Sequence, residues 1–224
     1  VTDIRGDSRP NDDGVLFGGP GNDMVNTYSG TVYGGRGDDN VGGDLAVGGP
    51  GDDELSGDIV YGGPGADTFN TRLSGREVYG GSGNDRLVEL VLTETNAHGG
   101  YGDDTIESSP RAAGSEQEFD GGPGDDVISG YGPAATLLGG EGADTIKASN
   151  TTSVTRGGEG NDVITLDSFG EAYGNVGDDV IYGNGSDSVF GGQGNDTVSG
   201  EDENPYTDPE ANGSDTIYGN RGND

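Results

Sequence analysis

The chain has 224 residues, no cysteine, no tryptophan, 49 glycines and a formal charge of −32, and only 28% of it is hydrophobic. That apolar fraction is too small for a conventional globular core, and the charge excludes nucleic-acid phosphate and anionic lipid as natural partners while favouring metal cations or basic surfaces. Without cysteine there is no disulfide framework, so bound metal is the expected staple for an extracellular life, and no run of about 18 apolar residues codes a membrane span.

Residues 1–17 hold Pro10-Asn11-Asp12-Asp13-Gly14 followed by Val15-Leu16-Phe17, and are expected to form a partial first coil or cap. Arg5-Gly6-Asp7 spells an integrin-type tripeptide, which chance explains in a chain so rich in glycine and aspartate. From residue 18 a nine-residue pattern takes over, Gly-Gly-x-Gly-x-Asp-x-apolar-x. It reads GGPGNDMVN at 18–26, GGRGDDNVG at 34–42, GGPGDDELS at 48–56, GGPGADTFN at 62–70 and GGSGNDRLV at 80–88. It returns as GGYGDDTIE at 99–107, GGPGDDVIS at 121–129, GGEGADTIK at 139–147, GGEGNDVIT at 157–165, GNVGDDVIY at 174–182 and GGQGNDTVS at 191–199. A last copy, GNRGND at 219–224, stops at its aspartate, and with a first residue that is not methionine this predicts a piece of a longer chain.

Each repeat predicts two short strands. The first follows the aspartate and centres on Val25, Val41, Leu55, Phe69, Leu87, Ile106, Ile128, Ile146, Ile164, Ile181 and Val198. The second ends just before the next glycine pair, with Leu16, Val32, Ala46, Val60, Val78, Ala97, Phe119, Leu137, Thr155, Ala172, Val189 and Ile217 at the matching place. Their neighbours are mostly polar, the period-two alternation of a strand with one face inward, whereas frequent glycine and the lack of a 3.6 period argue against helix. Variation in repeat length falls between the two strands, from Gly43-Asp44 and Gly57-Asp58 up to the acidic stretch 201–210. One side of the coil is therefore constant and the other drifts. The expected fold is all-β, a parallel β-solenoid of about twelve two-stranded coils, with residues 18–224 as a single domain.

The constant side suits calcium, which takes six to eight oxygen ligands and accepts backbone carbonyls beside carboxylates. Glycines allow positive φ and let several carbonyls turn inward, and the aspartate supplies charge. In a parallel stack with coils about 4.8 Å apart, each aspartate sits over the next, so without an ion the carboxylates repel by a few kcal/mol per neighbour at a dielectric of about 20. Each coil buries little more than two apolar side chains, roughly 3–6 kcal/mol, which is less than the cost of ordering its backbone. Folding is thus expected to depend on calcium.

These copies resemble the repeats-in-toxin nonapeptide family, and the resemblance spans about residues 15–224. It implies a right-handed parallel β-roll with calcium between successive turns. Carried over position by position, it implies carboxylate ligands at Asp23, Asp39, Asp53, Asp67, Asp85, Asp104, Asp126, Asp144, Asp162, Asp179, Asp196 and Asp224. Carbonyls of the turns, such as those of Gly19, Gly21, Gly35 and Gly37, would complete each shell, for about ten or eleven Ca²⁺ ions. The family pattern places ions on both sides, whereas here the second side mostly lacks the motif, and the ladder is expected mainly on one side. Only Gly183-Asn184-Gly185-Ser186-Asp187 and Ala211-Asn212-Gly213-Ser214-Asp215 resemble it there, with Asp187 and Asp215 as candidates for one extra site.

Tyr33, Tyr61, Tyr79, Tyr173 and Tyr218, with Phe17 and Phe190, precede the glycine turns and are expected to point outward along one edge. They read either as a platform for sugars or a protein partner, or more plainly as an aromatic ladder packing on itself. His98 shares that position and reads as a surface histidine. No Gly-x-Ser-x-Gly, no His-Glu-x-x-His and no cysteine nucleophile occurs, and the carboxylates are accounted for as ligands or surface charge, so no enzyme is expected. The row Met24, Asn40, Glu54, Thr68, Arg86, Thr105, Val127, Thr145, Val163, Val180 and Thr197 is too mixed for an ice-binding face.

The leading expectation is a calcium-binding structural module of a secreted or cell-surface bacterial protein, monomeric and folding outside the cell. The alternatives are an adhesin module that binds extracellular glycan or protein through the aromatic edge, or the accessory domain of a secreted protease or lipase.

Overall fold

The computed structural model describes residues 3–5, 14–70, 77–90, 96–108, 117–131, 135–149, 153–167, 169–183, 188–199 and 216–218. Among these every regular element is a β-strand, and the strands pair in parallel. Parallel strands need a crossover, and here the crossover is another strand. Val15–Pro20 pairs with Thr31–Arg36, two elements further on, and Met24–Asn26 pairs with Asn40–Val47. The chain therefore winds as a parallel β-solenoid. No described helix is long and apolar enough to cross a membrane.

The inward rows follow from the period-two pattern. Val25, Val41, Leu55, Phe69, Leu87, Ile106, Ile128, Ile146, Ile164 and Ile181 are buried, and adjacent members are register partners, as Ile106 is with Ile128 and Ile128 with Ile146. The second row, Val32, Ala46, Val60, Val78, Ala97, Phe119, Leu137, Ala172 and Val189, is equally buried, while Leu16 and Val198 pack against the cluster partly buried. Thr155 occupies an inward place between Leu137 and Ala172 and is fully buried, although its hydroxyl has no hydrogen-bond partner. Each coil contributes so little core that stacking on its neighbours supplies the rest. Ile217 pairs with Val189 through its backbone.

Residues before the glycine turns form an outward row in continuous register: Phe17, Tyr33, Val47, Tyr61, Tyr79, His98, Asp120, Leu138, Arg156, Tyr173 and Phe190, with the Tyr218 backbone in register beside Phe190. Where aromatics are adjacent they stack on one another. Phe17 lies 5.0 Å from Tyr33, Tyr61 4.9 Å from Tyr79, Tyr79 5.0 Å from His98 and Tyr173 4.8 Å from Phe190, all within 10° of parallel. Arg156 covers the free face of Tyr173 at 5.3 Å. Ring faces are thus turned toward neighbouring rings, which favours the self-packing ladder over a stacking platform for sugars. His98 is half-buried, and the carboxylate of Asp120, 3.6 Å away, raises its pKa above the ordinary value.

Opposite the glycine turns the links differ from coil to coil. Asn40–Val47 and Glu54–Pro64 stay in strand through Gly43-Asp44 and Gly57-Asp58, and Asp44 Oδ2 accepts the Gly30 N–H at 3.0 Å. Further on, Lys147 Nζ and Ser149 Oγ both reach Asp167 Oδ2, at 2.9 and 2.6 Å. The acidic stretch 201–210 and the cap residues 6–13 lie outside the described residues.

Candidate metal centre

The turn Gly121-Gly122-Pro123-Gly124-Asp125-Asp126 shows how the motif is built. Its second and third glycines, Gly122 and Gly124, have φ of 107° and 146°, a region that side chains with a Cβ rarely enter. The same holds at Gly19, Gly21, Gly35 and Gly37, with φ of 106°, 111°, 125° and 118°. A Cβ added to Gly35 would collide with the Gly19 carbonyl oxygen of the preceding coil, and one on Gly37 would lie 2.9 Å from that of Gly21. Both carbonyl oxygens therefore lie close against the turn of the following coil.

The aspartates close that gap from within. Asp23, Asp39, Asp53, Asp67, Asp85, Asp104, Asp126, Asp144, Asp162, Asp179 and Asp196 are all buried, between 1 and 6% exposed. Buried carboxylates require partners, yet from Asp39 to Asp196 each is only half satisfied. Oδ1 accepts the backbone N–H of the aspartate one coil earlier, as from Asp104 to Asp126 at 2.7 Å and from Asp126 to Asp144 at 2.8 Å. Oδ2 of Asp39, Asp53, Asp67, Asp85, Asp104, Asp126, Asp144, Asp162, Asp179 and Asp196 is buried with no hydrogen-bond partner. A Cβ on Gly121 would strike Asp126 Oδ2 and sit 2.7 Å from the carbonyl oxygen of Gly139 in the next coil. Glycine at the first motif position thus leaves room where a carboxylate oxygen and a carbonyl oxygen converge.

Such crowding pushes the carboxyl pKa values up. Burial raises Asp53, Asp85, Asp126 and Asp179 to about 7 against the ordinary 3.8, with neighbouring aspartates adding to the rise and the accepted N–H opposing it. Asp67, Asp104 and Asp144 rise to about 6, and Asp39 and Asp162 move in the same direction, again chiefly through burial. The row is thus short of positive charge. An all-oxygen set of carboxylates and carbonyls is what a hard divalent cation prefers, and calcium tolerates the irregular geometry of such a set.

The model of the RTX calcium-binding nonapeptide repeat (4 copies) matches residues 11–41, 40–69, 77–88, 118–132, 134–152, 154–168, 171–198 and 211–224. The chain belongs to this family. A search of curated proteins gives no match. RTX repeats bind Ca²⁺, and the half-satisfied row of buried aspartates fits that role. The RTX chain is therefore a calcium-binding structural repeat.

Of the residues expected from sequence, the aspartates from Asp23 to Asp196 fall into one buried row, and Gly19, Gly21, Gly35 and Gly37 into the turns that flank it. Asp187, Asp215 and Asp224 lie outside the described residues. Sequence reasoning passed over the residue just before each aspartate, which forms a second row on the solvent side. Asp52 N–H donates to Asp38 Oδ1 at 3.1 Å, Ala66 N–H to Asp52 Oδ1 at 2.8 Å, and Asp125 N–H to Asp103 Oδ1 at 3.1 Å. The available signal was the recurrence of Asn or Asp, broken by Ala, at that motif position. Also unforeseen was Asn175, at φ 79° the one described residue other than glycine with positive φ; asparagine is among the residues that adopt it most readily.

Proposed function

We propose that this RTX chain is a calcium-dependent structural segment, a spacer or folding aid of a secreted or cell-surface protein, which orders outside the cell where calcium is plentiful. The row of Asp Oδ2 atoms buried without partners carries this reading, because it makes the metal-free fold electrostatically costly. Asp39, Asp53 and their counterparts down to Asp196 would hold the ions, with turn carbonyls such as those of Gly19, Gly21, Gly35 and Gly37. One ion between each pair of successive turns gives a ladder of about ten or eleven along the motif side. Bound calcium supplies the charge that the stacked carboxylates lack, and the protein's own part is to hold oxygens at a fixed spacing along a rod. Such a segment needs no catalytic residue. RTX repeats are typical of secreted bacterial proteins, which supports extracellular delivery.

The test is circular dichroism of the chain in chelator, in magnesium and in calcium. The expected result is weak strand signal in chelator and a cooperative gain with calcium, in the range of about 10⁻⁴–10⁻³ M typical of extracellular modules. Magnesium should substitute poorly, since it demands near-octahedral geometry and keeps its waters. A full strand spectrum in chelator would contradict the proposal.

A further inference from the structure

The outer row beside the buried aspartates is not uniform. In chain order its residues are Asn22, Asp38, Asp52, Ala66, then Asn84, Asp103, Asp125, Ala143, then Asn161, Asp178, Asn195. Hydrogen bonds run forward along it within each group. Asn22 Oδ1 accepts the Asp38 N–H at 3.1 Å, Asp38 the Asp52 N–H at 3.1 Å, and Asp52 the Ala66 N–H at 2.8 Å. The second group repeats this, from Asn84 to Asp103 at 3.1 Å, Asp103 to Asp125 at 3.1 Å and Asp125 to Ala143 at 2.7 Å. In the third, Asn161 accepts the Asp178 N–H and Asp178 the Asn195 N–H, both at 2.8 Å. Alanine has no side-chain acceptor, so the outer row cannot pass from Ala66 to Asn84 or from Ala143 to Asn161. The inner row crosses both places unbroken, through Asp67 N–H to Asp85 Oδ1 at 2.8 Å and Asp144 N–H to Asp162 Oδ1 at 2.9 Å.

We propose that the outer-row residues tune the calcium affinity of the inner row, and that Ala66 and Ala143 are seams where the ladder is weakest and fills last. This rests on the calcium reading of the inner row. Two contributions act together. An Asp or Asn in the outer row fixes the peptide N–H immediately before the following coil's inner aspartate, which pre-organises that turn. The carboxylates Asp38, Asp52, Asp103, Asp125 and Asp178 also add negative charge one residue away from an inner-row aspartate, where it attracts a divalent cation. Alanine removes both. Asparagine retains the hydrogen bond without the charge, and its amide relieves the crowding at the head of the first two groups: Asn22 Nδ2 donates to Asp38 Oδ2 at 3.2 Å, and Asn84 Nδ2 to Asp103 Oδ2 at 3.4 Å. These are positioning residues that act through the inner aspartates.

The experiment compares calcium titrations of the parent chain with those of the double variant Ala66→Asp/Ala143→Asp and of Asp52→Asn/Asp125→Asn, followed by calorimetry and by strand signal, at low and high salt. The alanine replacements should lower the calcium midpoint by about two- to fivefold and sharpen the transition, since both seams gain an acceptor and a charge. The asparagine replacements should raise the midpoint by a similar factor, and that rise should shrink at high salt because only charge has been removed. A purely structural role for the outer row would give an asparagine variant indistinguishable from the parent at every salt concentration, which would overturn the charge contribution. An unchanged or raised midpoint in Ala66→Asp/Ala143→Asp would overturn the seams. Failure of the parent to respond to calcium at all would instead overturn the reading on which the proposal rests.

Discussion

The backbone N–H of Asp104 donates to Oδ1 of Asp126 at 2.7 Å, while Oδ2 of the same Asp126 is buried without a partner. One carboxylate thus ties its coil to the one before through one oxygen and leaves the other buried and unpaired. The same N–H to Oδ1 bond recurs along the row from Asp23 N–H to Asp196 Oδ1, so on the proposed calcium reading folding and metal binding would use the same side chains.

The raised aspartate pKa values give a pH prediction for the metal-free chain. Asp53, Asp85, Asp126 and Asp179 reach about 7 in the fold against 3.8 ordinarily, so the folded form binds protons that the unfolded form releases. Their contribution to stability is fully present below pH 3.8 and is lost as pH rises through about 7. In metal-stripped buffer, strand signal should therefore grow as pH is lowered from 7.5 toward 5, and calcium binding should weaken over the same interval as protons compete. Strand signal that falls on acidification would count against the buried row.

Ile128 stands between Ile106 and Ile146 in the inward row and is fully buried. Ile128→Asp places an unpaired charge there and should cost about 3 kcal/mol or more, lowering the calcium-saturated Tm by roughly 6–12 °C. A thermal melt that matches the parent's would show that the row does not face inward.

Thr155 offers the opposite change. Its hydroxyl is buried between Leu137 and Ala172 with no hydrogen-bond partner, and Thr155→Val keeps the shape while removing it. Stability should rise by about 1 kcal/mol, read from thermal melts in saturating calcium. A loss of similar size would mean that the hydroxyl is satisfied in solution.

Replacing Tyr33, Tyr61 and Tyr79 together with serine removes the stacks of Phe17 on Tyr33, Tyr61 on Tyr79 and Tyr79 on His98. Each pair is worth about 0.5–1.5 kcal/mol, so the calcium-loaded triple variant should melt measurably earlier. An unchanged melt, with loss of binding on a glycan array, would favour the platform instead.

Much of this architecture was legible in the sequence because each coil repeats the same demands. The apolar residue two places after each aspartate, from Val25 to Val198, marked the first inward row, and glycine at positions such as 35 and 37 marked turns that exclude a Cβ. Side-chain hydrogen bonding was less visible. Nothing in the residue type tells that Asp38 passes a hydrogen bond to the next coil, because an exposed aspartate reads as solvated charge until the register sets it beside Asp52 N–H. The aromatic row lay between these cases: its outward position followed from alternation, but stacking ring on ring, as of Tyr61 on Tyr79 at 4.9 Å, depends on the register between coils and on side-chain rotamers, which alternation does not supply.

The claim that the buried aspartates hold calcium is tested most directly by crystal diffraction from calcium-grown crystals, using the anomalous signal of calcium to place the ions. The account predicts a line of peaks between successive glycine turns, each about 2.3–2.6 Å from an inner-row carboxylate oxygen such as Asp126 Oδ2 and from turn carbonyls. Peaks confined to the opposite side of the coil, or an inner row that stays free of metal in saturating calcium, would contradict it.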